Sequence, residues 1–174
     1  MQSSRDHIFE ALVNRYRQPL TGAAYHLCGE WEAACDLVQE TLLDAYRGLD
    51  SLRDPEKAGA WLFTILRRKA LAYRKTSKRE TVLTHEPAAP GPDDAESMVR
   101  EIVIEQLGQL AKDEREILAG KYLLGLTYQE LAQTLGISEG AVRVRCFRAK
   151  EKLREVLQRV GLRVPPRGMP GGEA

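Results

Sequence analysis

The stretch "LTYQELAQTLGISEGAVRVRCFRAKEKLREVL", Leu126 to Leu157, holds two helices and the break between them. Thr127 followed three residues later by Glu130 forms a capping box, in which each side chain satisfies a free backbone donor at a helix start. Leu131, Ala132 and Leu135 give that first helix its buried face. Gly136 is placed to end it in the left-handed region, Ile137 to pack beneath the turn, and Ser138 to cap a second helix beginning at Glu139. In the second helix Val142, Cys146, Ala149, Leu153 and Val156 recur at helical spacing and predict an inward stripe. Arg143, Phe147, Arg148 and Lys150 are left on outward or flanking positions. This is the pattern of a helix-turn-helix, whose second helix suits a major groove. A solvated basic face is the other reading of the same arginines. The coincidence of caps, break and arginines favours contact with DNA, since an arginine fork matches guanine or phosphate.

Working outward, helical periodicity covers 98–160, through Met98, Val99, Ile102, Val103, Leu107, Leu110, Ile117, Leu118 and Tyr122. Before it, "TVLTHEPAAPGPDDAES" at 81–97 is rich in proline and acid and poor in apolar residues, and predicts a flexible linker. The N-terminal part contains three helical patterns. Ile8 to Leu27 is one helix or two, with Pro19 expected to bend or divide it. Cys35, Val38, Leu42, Ala45 and Leu49 mark an amphipathic helix whose outer side, with Glu30, Glu32, Asp36, Glu40 and Asp44, is acidic until Arg47. After the connection "LRDPEKAGAW", a third helix runs from Trp61 into the basic stretch "RRKALAYRKTSKR". The tail at 161–174 is expected to be disordered. No strand-like alternation occurs. The expected fold is all-α, with two small helical bundles at 1–80 and 98–160 joined by a flexible linker, the C-terminal bundle carrying the helix-turn-helix.

The 26 basic and 25 acidic residues nearly cancel, yet they are segregated along the chain, so partners follow from segments rather than from the net charge of +1. Three cysteines, Cys28, Cys35 and Cys146, are too few and scattered for a disulfide framework, and no secretory leader is visible, which points to a reducing cytoplasm. No apolar run approaches the roughly 20 residues that span a bilayer, so direct membrane insertion is not expected. His26, Cys28 and Cys35 lack a fourth ligand at suitable spacing, and neither a metal nor another cofactor is predicted. The phosphate-loop, H-E-x-x-H and G-x-S-x-G signatures are missing, and the chain is not expected to be an enzyme.

Three motifs in order resemble the extracytoplasmic-function (ECF) sigma factors, small members of the bacterial sigma-70-type group. The Leu126–Glu155 stretch is similar to their region 4, which implies recognition of the −35 promoter element by Ser138, Glu139, Gly140, Arg143, Arg145, Phe147, Arg148 and Lys150. "DLVQETLLDAYRGL", Asp36 to Leu49, resembles region 2.2. The resemblance implies that Asp36, Gln39, Glu40, Leu43 and Arg47 grip the β′ clamp helices of core RNA polymerase, with the β subunit as a further partner. "AWLFTILRRKALAYRK", Ala60 to Lys75, is similar to regions 2.3 and 2.4. That similarity implies contact of Lys57, Ala58, Trp61, Arg67, Arg68, Lys69, Arg74 and Lys75 with the melted −10 element. Ala58 stands where the family usually has an aromatic residue, and Arg68 where asparagine is common. Trp61 is either a stacking platform or, from its register with Ile65, a core residue. The resemblance further implies an anti-sigma factor as partner.

On this reading the acidic helix seeks a protein, the two basic helices seek promoter DNA, and the linker lets each bundle raise the other's effective concentration. An ordinary operator-binding regulator and a helical protein-interaction module remain the alternatives. Within the recognition helix, Arg143 is nearer the N-terminus and is expected to read a base, whereas Arg148 is expected to hold phosphate.

Overall fold

The structure is a computed structural model that describes residues 2–77, 105–159 and 161. Its elements are α-helical with short tight or wide turns: α1 (Gln2–Cys28), α2 (Trp31–Arg47), α3 (Ala58–Ser77), α4 (Lys112–Leu118), α5 (Tyr128–Leu135) and α6 (Glu139–Arg159). The predicted linker at 81–97 and all but the first residue of the predicted tail lie outside the described residues.

Helix α1 runs unbroken through Pro19. The proline removes one backbone donor, but Tyr16 and Leu20 on either side of it are both buried, and that packing offsets the lost hydrogen bond. After Gly29, whose φ of 81° is open to glycine, α2 begins at Trp31. Its buried stripe is Ala34, Leu37, Val38, Thr41 and Ala45, so Cys35 sits at the flank rather than in the stripe expected of it. The buried Thr41 hydroxyl donates to the Leu37 carbonyl at 2.6 Å, which satisfies the one polar group in that stripe.

Asp54 accepts a hydrogen bond from the Glu56 amide at 2.9 Å, with Pro55 at the first position of a single 3₁₀ turn. Helix α3 follows directly at Ala58, three residues earlier than Trp61 suggested. Gly59, a poor helix former, lies inside α3 because a side chain there would meet the Tyr16 ring at 3.2 Å and Leu126 at 3.5 Å. Helices α1, α2 and α3 pack against one another as the N-terminal bundle.

In the C-terminal bundle the Ala111 amide donates to Glu114 at 3.0 Å to start α4, which widens into a π-turn over Ala119–Leu123. The Thr127–Glu130 capping box forms reciprocally: the Glu130 amide donates to the Thr127 hydroxyl at 3.1 Å and the Thr127 amide to the Glu130 carboxylate at 2.8 Å. Gly136 is left-handed, with φ 67°, and Ser138 accepts from the Ala141 amide at 3.2 Å to open α6. Val142, Cys146 and Ala149 are the buried stripe of α6, as their spacing predicts.

The two bundles are docked on each other, and their apolar interiors join in one continuous core. Phe63 of α3 lies against the π-turn, where a side chain at Gly120 would come within 3.1 Å of its ring and 2.5 Å of Leu131. Gly22 of α1 likewise lets Leu123 approach to 3.4 Å of where its side chain would begin.

Candidate protein and nucleic-acid interfaces

Five positions on α2 share one face. Asp36, Gln39 or Glu40, Leu43 and Arg47 follow one another at three- or four-residue spacing, and all five are exposed, directly opposite the buried stripe. Leu43, 57% exposed, puts an apolar side chain among the charges. Two carboxylates at the edge of this face are tied to α3: the Lys69 ammonium lies 2.8 Å from Asp44 and 3.4 Å from Glu40. The Lys69 hydrogen bond is the main reason the Asp44 carboxyl titrates below its usual range.

The eight residues predicted to meet the −10 strand do not form one surface. Trp61, Arg68 and Lys75 recur every seven residues and so fall on one line of α3, with Arg68 and Lys75 exposed and Trp61 half-buried near Gly48. Lys57 is exposed just before the helix. Ala58 is fully buried, so its side chain has no access to a base; the helix start draws it inward beside Gly59. Lys69 is turned toward α2. Arg67 and Arg74 occupy a third side, toward the C-terminal bundle, where Arg67 Nε donates to Glu116 Oε2 at 2.8 Å and Arg74 lies close enough to Arg115 to lower its pKa after burial has done so.

Helix α6 presents Gly140, Val144, Phe147 and Arg148 outward. Nothing crowds Gly140, and Val144 and Phe147 are 50% and 57% exposed. Ser138 and Glu139 are exposed at its start. Along one flank, Arg143 donates from Nε and Nη2 to Glu139 at 3.0 and 2.6 Å, and its guanidinium lies 4.6 Å from the centre of the Tyr128 ring. Lys150 lies 5.6 Å over the Tyr122 ring, and hydrogen bonding to that phenol raises its pKa. On the opposite flank Arg145 pairs with Asp113 of α4 at 2.9 Å, and Lys152 with Glu114. Arg145 therefore braces α6 on α4 and stands beside the outward face rather than on it. Arg148 makes no ion pair with another described residue.

Three features of these surfaces were not read from the sequence: the exposure of Val144, the Tyr128 ring beside Arg143, and the Glu116 carboxylate that pairs with Arg67. An exposed apolar residue between two arginines was the available signal for Val144. Tyr128, at the first position of α5, is recognisable as a stacking partner only once α6 is placed beside it.

His26 is held neutral, its pKa lowered to about 4 first by burial and then by the nearby Arg115 charge. Among the described residues no three His, Cys, Asp or Glu side chains converge as metal ligands, and the Cys28 thiol donates instead to the Glu30 carbonyl at 3.2 Å. No helix among them is long and apolar enough to cross a membrane.

These surfaces coincide with known domains. Residues 12–80 match the family model for Sigma-70 region 2, and residues 100–153 that for Sigma-70, region 4. The chain is 30% identical over 162 residues to the ECF RNA polymerase sigma factor SigL of Mycobacterium tuberculosis, covering 89% of this chain and 92% of that one. It is 32% identical over 163 residues to the RNA polymerase sigma factor CarQ of Myxococcus xanthus, covering 90% and 92%. Among solved structures, the sigma factor RpoE from Bartonella quintana, in complex with the anti-sigma factor NepR, superposes with a TM-score of 0.67 at 26% identity, covering 90% of this chain and 96% of that one. CnrH, solved with the cytosolic domain of CnrY, gives 0.65 at 29% identity, covering 87% and 88%. Two sigma-70 regions in family order, full-length relatives and a shared helical architecture establish that the chain belongs to the ECF sigma factors, which direct transcription initiation by RNA polymerase.

Proposed function

We propose that the α2 face built from Asp36, Gln39, Glu40, Leu43 and Arg47 docks on the β′ clamp helices of core polymerase, and that α3 and α6 then place the enzyme on a promoter. The observation that carries this reading is the spatial separation of one acidic face with an exposed leucine from two basic ones. The −35 element meets the outward side of α6, with Val144 and Phe147 suited to thymine methyl groups and Arg143 and Arg148 to guanine and phosphate. The melted −10 strand runs along Trp61, Arg68 and Lys75, where phosphate contacts supply affinity and Trp61 offers an edge for stacking.

The chain works in the cytoplasm and performs no catalysis of its own; phosphodiester synthesis belongs to the polymerase it recruits. The β subunit of core polymerase is a further partner. An anti-sigma factor is its regulator, a proposal supported by the likeness to a sigma factor solved with NepR.

Reconstituted transcription tests the reading. Core enzyme alone starts without promoter preference; adding this protein is expected to produce transcripts from defined start sites. Binding to duplex DNA without binding to core polymerase would identify an operator-binding regulator instead, and binding to neither an interaction module.

A further inference from the structure

A cavity of about 390 Å³ lies beside α6, within the size range of small-molecule sites. Its walls come from four elements: His26 of α1, Leu118 of α4, Leu123 of the π-turn, and Leu153 and Leu157 of α6. The lining is almost wholly apolar, and no Asp or Glu takes part in it. Three cations do, Arg115, Lys150 and Arg154. Lys150 is engaged by the Tyr122 phenol, and Arg154 lies 3.9 Å from Glu151. Arg115 differs. Its Nε is buried with no hydrogen-bond partner, and its guanidinium makes no ion pair with another described residue. Burial first, and the Arg74 charge second, hold its pKa below the ordinary arginine value. His26 nearby is neutral and adds no charge, but it has one ring N–H to donate. Where α1 meets α4 the cavity therefore has an under-neutralised cation; elsewhere its wall is mainly leucine.

We propose that this cavity binds a medium-chain aliphatic acid, with its carboxylate at Arg115 and His26 and its chain among the leucines. A carboxylate meets a guanidinium through both oxygens and supplies the counter-charge that no described side chain gives Arg115. One such cation calls for one negative charge. An alkyl chain leaves water on entering and makes close contacts with the leucine walls. At about 30 Å³ for each non-hydrogen atom the cavity takes roughly a dozen, which is a chain of about ten carbons with its carboxylate. A protein helix, about 10 Å across with its side chains, is too wide for a space of this volume walled by four elements.

Calorimetric titration of the full chain with decanoate, below its micelle concentration, tests this. One decanoate per chain is expected to bind. Butyrate, which keeps the head and loses six methylenes, is expected to bind at least a hundredfold more weakly. Decylamine, of the same length but positively charged, is expected to bind at least tenfold more weakly. Arg115→Gln is expected to weaken decanoate at least tenfold and to leave decanol, which has no charge, within about twofold. Leu153→Trp fills the cavity and is expected to abolish binding of both, with circular dichroism checking that each variant is folded.

Equal affinity for decanoate and decylamine would remove the carboxylate from the proposal, and several decanoates per chain would show surface adsorption instead of a site. Unchanged decanoate affinity in folded Arg115→Gln would overturn the head-group assignment, and unchanged affinity in folded Leu153→Trp the cavity itself. Failure of decanoate to bind at all would end the proposal and leave the cavity to a side chain of a protein partner. The head-group and chain-length series uses the parent protein, so it decides even if a variant does not fold. Neither DNA nor polymerase enters the titration, and its outcome is independent of the promoter reading.

Discussion

Arg143 and Arg148 stand five residues apart on α6, and the structure assigns them different freedom. Arg143 gives its Nε and one Nη2 hydrogen to Glu139, which occupies one edge of the guanidinium. The end-on edge, formed by Nη1 and the remaining Nη2 hydrogen, stays available, and the Tyr128 ring fixes the plane. That is the geometry of a fork held ready for the two acceptors of guanine. Arg148 is exposed and makes no such pair with another described residue. Replacing Arg143 by alanine is expected to lose about 1–3 kcal/mol, or about 5- to 150-fold in affinity, concentrated at one base pair of the −35 element. Lysine is the decisive substitution. Arg143→Lys is expected to lose nearly as much as alanine, because an ammonium offers no planar fork, while Arg148→Lys stays within about twofold of the parent, because phosphate needs only a charge. Arg148→Ala is expected to weaken all sequences alike and to shallow the slope of log affinity against log salt by about 0.9. Glu139→Ala breaks only an exposed i,i+4 pair worth about 0.3–0.5 kcal/mol, so its effect is small. Fluorescence anisotropy against duplexes carrying every single −35 substitution, at several salt concentrations, reads all of these. Full retention of base preference by Arg143→Lys would refute the fork, and uniform loss in both alanine variants would refute the division of labour.

Reversing Asp36 and Glu40 to lysine is expected to abolish binding to core polymerase while leaving helicity by circular dichroism unchanged; unaltered affinity in a core-binding titration would reassign the α2 face. Thr127→Ala removes the side-chain acceptor of the capping box and is expected to destabilise the C-terminal bundle by about 0.5–2 kcal/mol in urea unfolding. Acid is expected to destabilise the fold through His26. Its folded pKa of about 4 lies below the ordinary 6.5, so the unfolded chain takes up the proton first, and stability is lost as pH falls from 6.5 toward 4. The loss amounts to roughly 3 kcal/mol at its limit, from about 1.4 kcal/mol for each unit of difference. A His26→Gln variant is expected to flatten that part of the pH dependence; an unchanged profile would mean that other groups govern it.

What was legible from the chain alone was local. The capping box at Thr127 and Glu130, the left-handed Gly136 and the Ser138 cap involve residues three or fewer apart, and backbone dihedrals and nearby hydrogen bonds decide them wherever the segment goes. The α2 face was legible for the same reason, since positions 36, 39, 40, 43 and 47 align on any regular helix. Whether Pro19 divides the first segment was open in the sequence, and the burial of Tyr16 and Leu20 on both sides of it decides for one continuous helix. Within α3, basic composition was visible but its division among three sides was not. Arg67 belongs to Glu116, 49 residues away, and Arg145 to Asp113, 32 residues away, while Thr64 meets Thr134 across 70. Sequence by itself determined an all-helical chain with one acidic and two basic helices and the turn between the last two. Tertiary structure decided which cations face outward and which are tied inward, because a charge's partner and its access to water depend on how two bundles dock, and periodicity within one helix carries no information about the surface of another.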